Sequence, residues 1–321
     1  MLFSIVVPCY NASERIEELF KMLSSKDYSN YEVVFVDDCS KDNTYDTMLK
    51  TLEKSEAYNN YKVMQTPKNC GPGPARNAGV LRAEGEYILF CDSDDIFDIS
   101  CLAKIESFLQ DHPDADIVVS PHTVVRGKSE ALSDAYSKYG DGEKITKDDV
   151  VIGYGGPVAK VFKKEIISAN AIEFPARMTG EDACFVINYA VFVENGYKMD
   201  FSYYSYIMND ASITHTQKED WKMPTTFEVL LPLYEEHFPN VVVQRFIEGH
   251  LLTKAKLMTR AGCKNSEIKK WFKEENQRYP NWYEYTSQMD NSLYRKMIYF
   301  AMHKSSPVLI KFVMWLRRIL Y

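Results

Sequence analysis

Gly85-Glu-Tyr-Ile-Leu-Phe-Cys-Asp-Ser-Asp-Asp95 is the stretch that decides how this chain is read. Tyr87–Cys91 is a short continuous apolar run, the pattern of a strand buried on both faces. It runs straight into Asp92, Asp94 and Asp95. Carboxylates packed this closely repel one another, and a divalent cation is the usual way to offset that. Hard oxygen ligands suit Mg2+ or Mn2+, and such an ion is normally shared with phosphate oxygens.

The same arrangement recurs upstream and downstream. Phe3–Pro8 reads as a strand, with β-branched Ile5, Val6 and Val7 and with Pro8 ending the run. Glu32–Val36, Tyr61–Thr66 and Ile117–Ser120 are further strands. Helices lie between them. Ala12–Ser24 places Ile16, Leu19, Phe20 and Leu23 at helical spacing, with Asn11 or Ser13 as N-cap. A small-residue helix runs from about Ala75 to Ala83, and another carries Leu102, Ile105, Phe108 and Leu109. This alternation predicts an α/β fold with a mostly parallel central sheet flanked by helices.

Open α/β sheets bind ligands beyond the carboxyl ends of their strands. Here those ends carry Pro8-Cys9-Tyr10-Asn11, then Asp37-Asp38-Cys39-Ser40 with Asp42, then Asn69 to Gly73 with Arg76, and finally Asp92 to Asp95. Six carboxylates and an arginine are thereby gathered on one edge. Taken alone, Asp37–Ser40 reads equally well as a turn with helix capping. The Gly71–Gly73 segment is neither a dinucleotide fingerprint nor a phosphate loop, because the third glycine and the Gly-Lys-Ser/Thr ending are missing.

Composition narrows the class. The 321 residues are 45% hydrophobic and 26% charged, which excludes collagen-like and wholly disordered chains. A net charge of −7 argues against a nucleic-acid binder. Seven cysteines without a Cys-x-x-Cys pair suggest reduced thiols in a cytoplasmic compartment and no zinc site. Met1–Val7 is too short and lacks the basic start of a signal peptide. No apolar run reaches the roughly 18 residues that mark a membrane-spanning helix.

Beyond Ser120 the pattern changes. Residues 121–156 read as loops over one end of the sheet. Val158–Ala169 brings a short apolar segment with a Lys163-Lys164 pair, and Asp182–Val193 reads as a helix with Phe185, Tyr189 and Phe192 inside. After about Thr216 the chain reads as helices rich in aromatic residues. Past Asp290 there is no acidic residue, while Arg295, Lys296, Lys304, Lys311, Arg317 and Arg318 give +6, leaving −13 on the first 290 residues. Val308–Tyr321 has eleven apolar residues out of fourteen. As a helix it would be roughly 21 Å long, against about 30 Å of hydrocarbon core. It reads as a last helix packed from Pro307, as a helix lying on an anionic membrane surface, or as a homodimer contact.

Four blocks together resemble a known family. Ser4-Ile-Val-Val-Pro-Cys-Tyr-Asn11, Val36-Asp-Asp-Cys-Ser-Lys-Asp42, Ala75-Arg-Asn-Ala-Gly79 and Gly85–Asp95 resemble, in order and spacing, the inverting glycosyltransferases of family 2, bacterial surface and capsular polysaccharide enzymes among them. The resemblance covers roughly the first 215 residues. It implies a GT-A fold over residues 1–215, with a nucleotide-sugar half at 1–120 and an acceptor half at 121–215. A helical C-terminal region, 216–321, would end in the basic apolar segment 291–321. The resemblance places Pro8, Tyr10 and Asn11 against the base and ribose, and Asp38 on the uracil ring with Asp37 supporting the pocket. Arg76 would lie near the diphosphate. Asp92 and Asp94 would form the DxD-type element, Asp94 as metal ligand for Mn2+ or Mg2+ and Asp92 nearer the ribose.

Gly180-Glu181-Asp182 resembles the family's Glu-Asp motif, which implies Asp182 as the catalytic base and Glu181 as its support. On the residues alone, the pair is ordinary acidic charge at a helix start. One departure stands out. Where the family carries an arginine, Tyr204-Ser-Tyr206 is followed by Ile207, with Ser212-Ile213 after it; His215 or Lys218 are the substitutes at hand, and His215 is also a candidate metal ligand. The resemblance implies metal-dependent, inverting transfer of one hexosyl or N-acetylhexosaminyl group from a UDP-sugar to an acceptor hydroxyl. The expected acceptor is a lipid-linked glycan, met in the cytoplasm at the inner face of the cell membrane. The alternative is a degenerate transferase that binds nucleotide sugars or scaffolds a complex. A phosphatase built on Asp92-Ser-Asp94 fails, because Ile96 stands where Thr or Val is required.

Overall fold

The computed structural model describes residues 2–54, 56–153, 156–176, 180–208, 225–289 and 292–320. Strand β1 (Phe3–Cys9) is buried along its whole length. It lies parallel to β2 (Tyr31–Asp37) on one side and to β4 (Tyr87–Phe90) on the other. β2 in turn pairs parallel with β3 (Tyr61–Gln65). Strand β10 (Lys160–Lys163) then enters antiparallel between β4 and β6 (Ile117–Val119). β11 (Gly196–Lys198) runs parallel to β6, and β9 (Lys144–Ile145) closes the sheet antiparallel to it. The sheet has eight strands in the order β3-β2-β1-β4-β10-β6-β11-β9. The mostly parallel α/β expectation holds, with β10 and β9 reversed.

Residue alternation on β1 and β2 explains the two covered faces. Phe3, Ile5 and Val7 with Val33 and Phe35 pack against Ile16, Leu19 and Phe20 of α1 (Ile16–Met22) and against Leu102, Ile105 and Leu109 of α4 (Leu102–Asp111). Phe20 stacks on Phe35 with centroids 4.4 Å apart. On the opposite face, Val34 and Val36 meet Ala75 of α3 (Pro72–Arg82). Helix α2 (Thr44–Leu52), which the sequence pattern does not single out, joins β2 to β3.

Several local expectations differ from what forms. Pro8 lies inside β1, level with Val36, and does not end it. The Cys91 amide donates to the Val6 carbonyl, so the Pro8 nitrogen is the next position facing β4. Proline has no hydrogen to donate there, and β4 leaves the sheet at that point. Helix α1 begins at Ile16, because Asn11 and Ser13 are used elsewhere: Asn11 Oδ1 accepts from the Lys41 amide, and the Ser13 amide donates to Asp42 Oδ2. Helix α3 begins three residues early, at Pro72, whose missing amide hydrogen is one that a first helical turn does not need.

Residues 121–156 are not only loops. β7 (His122–Arg126) and β8 (Ser129–Ser133) form a hairpin in a second sheet, ordered β5-β12-β7-β8 with β5 (Ile96–Phe97) and β12 (Tyr204–Ile207). β8 is solvent-facing, so it carries no apolar alternation to read. A Thr146–Asp149 capping box starts α5 (Lys147–Ile152). Helix α6 (Lys164–Ala169) comes after β10, and α7 (Glu181–Ala190) buries Phe185 and Tyr189. Phe192 lies past the end of α7 and is exposed, not inside it.

The chain divides into two compact units, 1–215 and 216–321. The second is helical, with α8 (Thr226–His237), α9 (Val242–Arg245), a π-helical turn over Phe246–Leu251, α10 (Leu252–Arg260), α11 (Asn265–Arg278), α12 (Trp282–Tyr285), α13 (Leu293–His303) and α14 (Pro307–Leu320). Among the described residues no helix is long and apolar enough to cross a membrane. All seven cysteines are free thiols.

Helix α3 approaches the sheet through Gly79. A Cβ there would stand 2.4 Å from Val6 Cγ1 and 3.2 Å from Val36 Cγ2. Gly79→Ala is therefore expected to destabilise the first unit by about 1–3 kcal/mol, since overpacking displaces the helix. Urea denaturation followed by near-UV circular dichroism checks this, and Val6→Ala in the same chain should restore part of the loss.

Candidate active site

The carboxyl ends of β1, β2 and β4 open onto one edge, and hydrogen bonds lock their loops together. Asn11, at φ 51°, donates its amide to Ser40 Oγ at 2.8 Å. The Ala12 amide donates to Thr44 Oγ1 at 2.8 Å. Pro8 is buried, Tyr10 half-buried and Asn11 exposed, so of these three expected base-binding residues Asn11 presents the most surface.

Asp37 and Asp38 turn inward. Asp37 is fully buried and accepts from the Ser40 amide at 3.1 Å, from Gln65 Nε2 at 2.8 Å and from the Ser40 hydroxyl. Asp38 is 2% exposed and accepts from Thr66 Oγ1 at 2.9 Å, the Cys70 amide at 3.1 Å and the Gly71 amide at 2.7 Å. Its carboxylate thus draws residues 66–71 in toward Gly71, which precedes α3 at φ 93°. At that φ a side chain would be strained.

Helix α3 delivers Arg76 into the centre of the edge. The side chain is 3% exposed, with Nη2 donating to Asp92 Oδ1 and Nη1 to Asp182 Oδ1, each at 2.6 Å. The guanidinium lies 5.3 Å from the centroid of the Phe174 ring. Burial works to lower the Arg76 pKa, but Asp92 and Asp182 outweigh it and hold the group charged. Next to it, Asn77 clamps the chain at Phe174, donating Nδ2–H to the Phe174 carbonyl at 2.8 Å and accepting from the Phe174 amide at 2.9 Å. Gly73 leaves the space that this close approach needs, because a Cβ there would lie 3.0 Å from Phe174 Cβ and 3.3 Å from Glu181 Cγ.

The three carboxylates after β4 divide among three tasks. Asp95 is 1% exposed and points inward, accepting from the Tyr204 hydroxyl at 2.5 Å and from the Ile207 amide at 2.7 Å. Burial pushes its pKa up to about 7 against those two hydrogen bonds. Asp92 faces Arg76, and its amide donates nothing outward because the Tyr204 hydroxyl accepts it at 3.2 Å. Asp94 is exposed; burial of its surroundings and then the charge of Asp92 raise its pKa.

Helix α7 starts from Gly180 at φ 85° and brings Glu181 and Asp182 to the same place. The Asp182 side chain keeps 36% of its surface open. Its pKa is pushed up to about 6, chiefly by burial, with Asp92 and Glu181 adding and Arg76 opposing. The structure therefore brings together Arg76, Asp92, Glu181 and Asp182 with Asp94 beside them. His215, Lys218 and Ser212-Ile213 lie outside the described residues.

Among the described residues no three His, Cys, Asp or Glu side chains gather closely enough to hold a metal by themselves. A cation here would take two carboxylates at most from this set, Asp92 and Asp94, and complete its shell from a ligand and water. The mutual repulsion that raises the Asp94 pKa fits that use.

Three contributors are not legible in the sequence. Asn77 acts through the backbone at Phe174, and only its place beside Arg76 hints at it. Tyr204 draws notice in the sequence only as a neighbour of the missing arginine, yet its hydroxyl joins Asp92 to Asp95. Lys160, 2% exposed at the start of β10, donates to the Gly156 carbonyl at 2.7 Å. Burial pushes its pKa down to about 7, with the charge of Asp182 acting the other way. A lone lysine opening an apolar run gives no signal of burial.

Fold and site define an α/β protein with its candidate site on the carboxyl edge of one sheet. The chain belongs to glycosyl transferase family 2, whose model matches residues 4–169, and it has a GT-A fold. Among curated relatives, the poly(ribitol-phosphate) β-N-acetylglucosaminyltransferase TarS of Staphylococcus aureus is 33% identical over 191 residues, 58% of this chain and 32% of its own. The poly(ribitol-phosphate) β-glucosyltransferase of Bacillus spizizenii is 30% identical over 215 residues, 66% of this chain and 33% of its own. The chain thus spans about a third of the length of these relatives. Residues 1–349 of S. aureus TarS, solved with UDP-GlcNAc, superpose with a TM-score of 0.63 at 21% identity, covering 99% of this chain and 92% of that one. A Pyrobaculum calidifontis mannosyltransferase solved with GDP-Man and Mn2+ gives 0.59 at 15% identity, covering 99% and 87%.

Arg76→Gln removes the one cation shared by Asp92 and Asp182. Without it the Asp182 pKa is expected to climb above about 6, since the guanidinium is what opposes burial there. Carboxylate titration by infrared or 13C NMR, referenced to Asp182→Asn, measures the shift; an unchanged or lower pKa contradicts it.

Proposed function

We propose that the protein transfers one sugar from a UDP-sugar to an acceptor hydroxyl with inversion, and that Asp182 is the base. The observation that carries this reading is the Arg76 bridge. One guanidinium fixes both the carboxylate of the DxD-type element and a half-open carboxylate whose pKa is about 6. The relatives' names support the donor class: TarS carries N-acetylglucosamine and the Bacillus enzyme glucose, and TarS has been solved with UDP-GlcNAc. They also support a hydroxyl-bearing bacterial surface polymer as acceptor. We place the reaction on a lipid-linked form of such a polymer, at the inner face of the cell membrane.

In this reading the chemistry is a single displacement. The acceptor oxygen bonds to the anomeric carbon as the bond to the diphosphate oxygen breaks, and the hydroxyl proton passes to Asp182 Oδ2, the oxygen that Arg76 leaves free. A base with a pKa near 6 is roughly nine-tenths ionised at pH 7, yet basic enough to take the proton. Glu181 supports Asp182 and raises its basicity through its charge. Asp38 shapes the pocket for the base by fixing residues 66–71, and the uracil contact expected of it is made on that fixed frame together with Tyr10 and Asn11. Asp94, with Asp92, would hold Mg2+ or Mn2+, which when bound neutralises charge on the departing diphosphate.

A protein that only binds nucleotide sugars is the competing reading. Asp182→Asn separates the two: turnover is expected to fall by about 10²–10⁴ while UDP-sugar affinity stays put. Loss of neither, or equal loss of both, counts against Asp182 as base. In the wild-type enzyme kcat/KM is expected to drop as pH falls through about 6, because protonation of Asp182 removes the acceptor for the hydroxyl proton. Chelation with EDTA should weaken UDP binding, Mn2+ should restore it, and Asp94→Asn should abolish the restoration.

A further inference from the structure

We infer that α13 and α14 carry a docking surface for an anionic lipid bilayer. This deepens the proposed membrane setting by naming the surface, and it is tested without donor or acceptor. Of the thirteen large apolar side chains exposed among the described residues, six fall between positions 293 and 315. They are Leu293, Phe300, Val308, Leu309, Phe312 and Trp315.

Their placement is helical, not random. On α14, Ile310 and Val313 are buried and satisfy its inner face. Val308, Phe312 and Trp315 fall at i, i+4 and i+7, so a second apolar stripe runs along the outer face with Leu309 at its margin. A surface helix ordinarily carries polar residues there. Helix α13 repeats the design: Ile298, Tyr299, Ala301 and Met302 are buried, while Leu293, Lys296, Phe300 and Lys304 share the outward face.

The charges decide which partner fits. Arg295 is neutralised by an ion pair with Glu248, so the basic excess of this region is smaller than its sequence suggests. Lys296, Lys304 and Lys311 form no ion pair with a described carboxylate. The Lys311 ammonium donates to the Cys263 carbonyl at 3.0 Å and to Asn265 Oδ1 at 2.8 Å, both uncharged. The Lys304 ammonium sits 5.8 Å from the Phe300 ring centroid, an alkyl stem over an apolar surface with its charge at the rim. Apolar and aromatic side chains interleaved with uncompensated lysines suit the boundary between acyl chains and anionic headgroups. Two copies meeting face to face would instead bring these lysines against one another, and like charges oppose such a contact.

The full-length chain is expected to cosediment with vesicles of phosphatidylcholine containing phosphatidylglycerol, and far less with phosphatidylcholine alone. Phe312→Ser with Trp315→Ser should weaken this binding about tenfold or more. Lys296→Glu with Lys304→Glu should weaken it by a similar factor and flatten its salt dependence, at about fivefold for each cation lost. These side chains are exposed, so circular dichroism melts and transfer to a water-soluble acceptor should stay unchanged. Brominated lipid should quench tryptophan fluorescence, and Trp315→Phe should remove most of that quenching. Absence of vesicle binding by the wild-type chain overturns the inference. So does vesicle binding that survives both double variants, including the case where those variants alter only the oligomeric mass in light scattering.

Discussion

The Arg76 guanidinium, held between Asp92 and Asp182, is the constraint on which the site depends. Burying a cation costs several kcal/mol unless its partners are close and well aimed, and here two carboxylate oxygens stand at 2.6 Å. An arginine cannot escape by losing its proton, so the pairing has to form whenever the fold does. That one requirement brings three separate elements together: the start of α3, the loop after β4 and the first turn of α7. The neighbours of Arg76 serve the same approach. Asn77 fixes the backbone at Phe174, Gly73 leaves room for Glu181, and Gly79 lets the helix sit against Val6 and Val36.

This also changes what the cluster of carboxylates means. In the sequence, six acidic residues on one edge look like a single negative surface awaiting a cation. In the structure Asp37, Asp38, Asp42 and Asp95 are acceptors for loop amides and hydroxyls. They shape the edge from within; in the proposed reaction Asp92, Asp94, Glu181 and Asp182 are the carboxylates at the reacting groups, while Asp38 serves the base pocket from its fixed frame. Part of the repulsion that suggests a metal is therefore already offset by Arg76. What is left for a cation is concentrated at Asp94.

The legible parts of the fold are those where burial dictates residue type. β1, β2, β4 and β6 are mostly apolar and buried throughout because both faces are covered, and their ends, like those of the half-buried edge strand β3, can be placed within a residue or two. β10 hides behind Lys160 and Lys163, since a strand of four residues with lysine at both ends has no recognisable pattern. The hairpin of β7 and β8 is illegible for the opposite reason, its outer strand being exposed over four of its five residues. Cap assignments at Asn11 and Ser13 fail because capping residues are also the residues that tie loops together. Which use prevails depends on Ser40, Lys41 and Asp42, nearly thirty positions away.

The site's chemistry is legible in its residue types and not in their coupling. Asp182 as an isolated acid at a helix start would be an ordinary carboxylate helped by the helix dipole. Its pKa of about 6 arises from influences that reach it from other elements: burial, Asp92 and Glu181 raise it, and Arg76 restrains it. Because Asp92 and Asp182 share the same guanidinium, their charges are linked. Whatever neutralises Asp92 removes a charge that raises the Asp182 pKa and leaves Arg76 more fully committed to Asp182, so both effects favour the ionised base. Anionic charge placed near Asp92 without compensation acts in the reverse sense. In the proposed reaction, the proton affinity of Asp182 thus follows the electrostatic state at Asp92, through a single buried side chain.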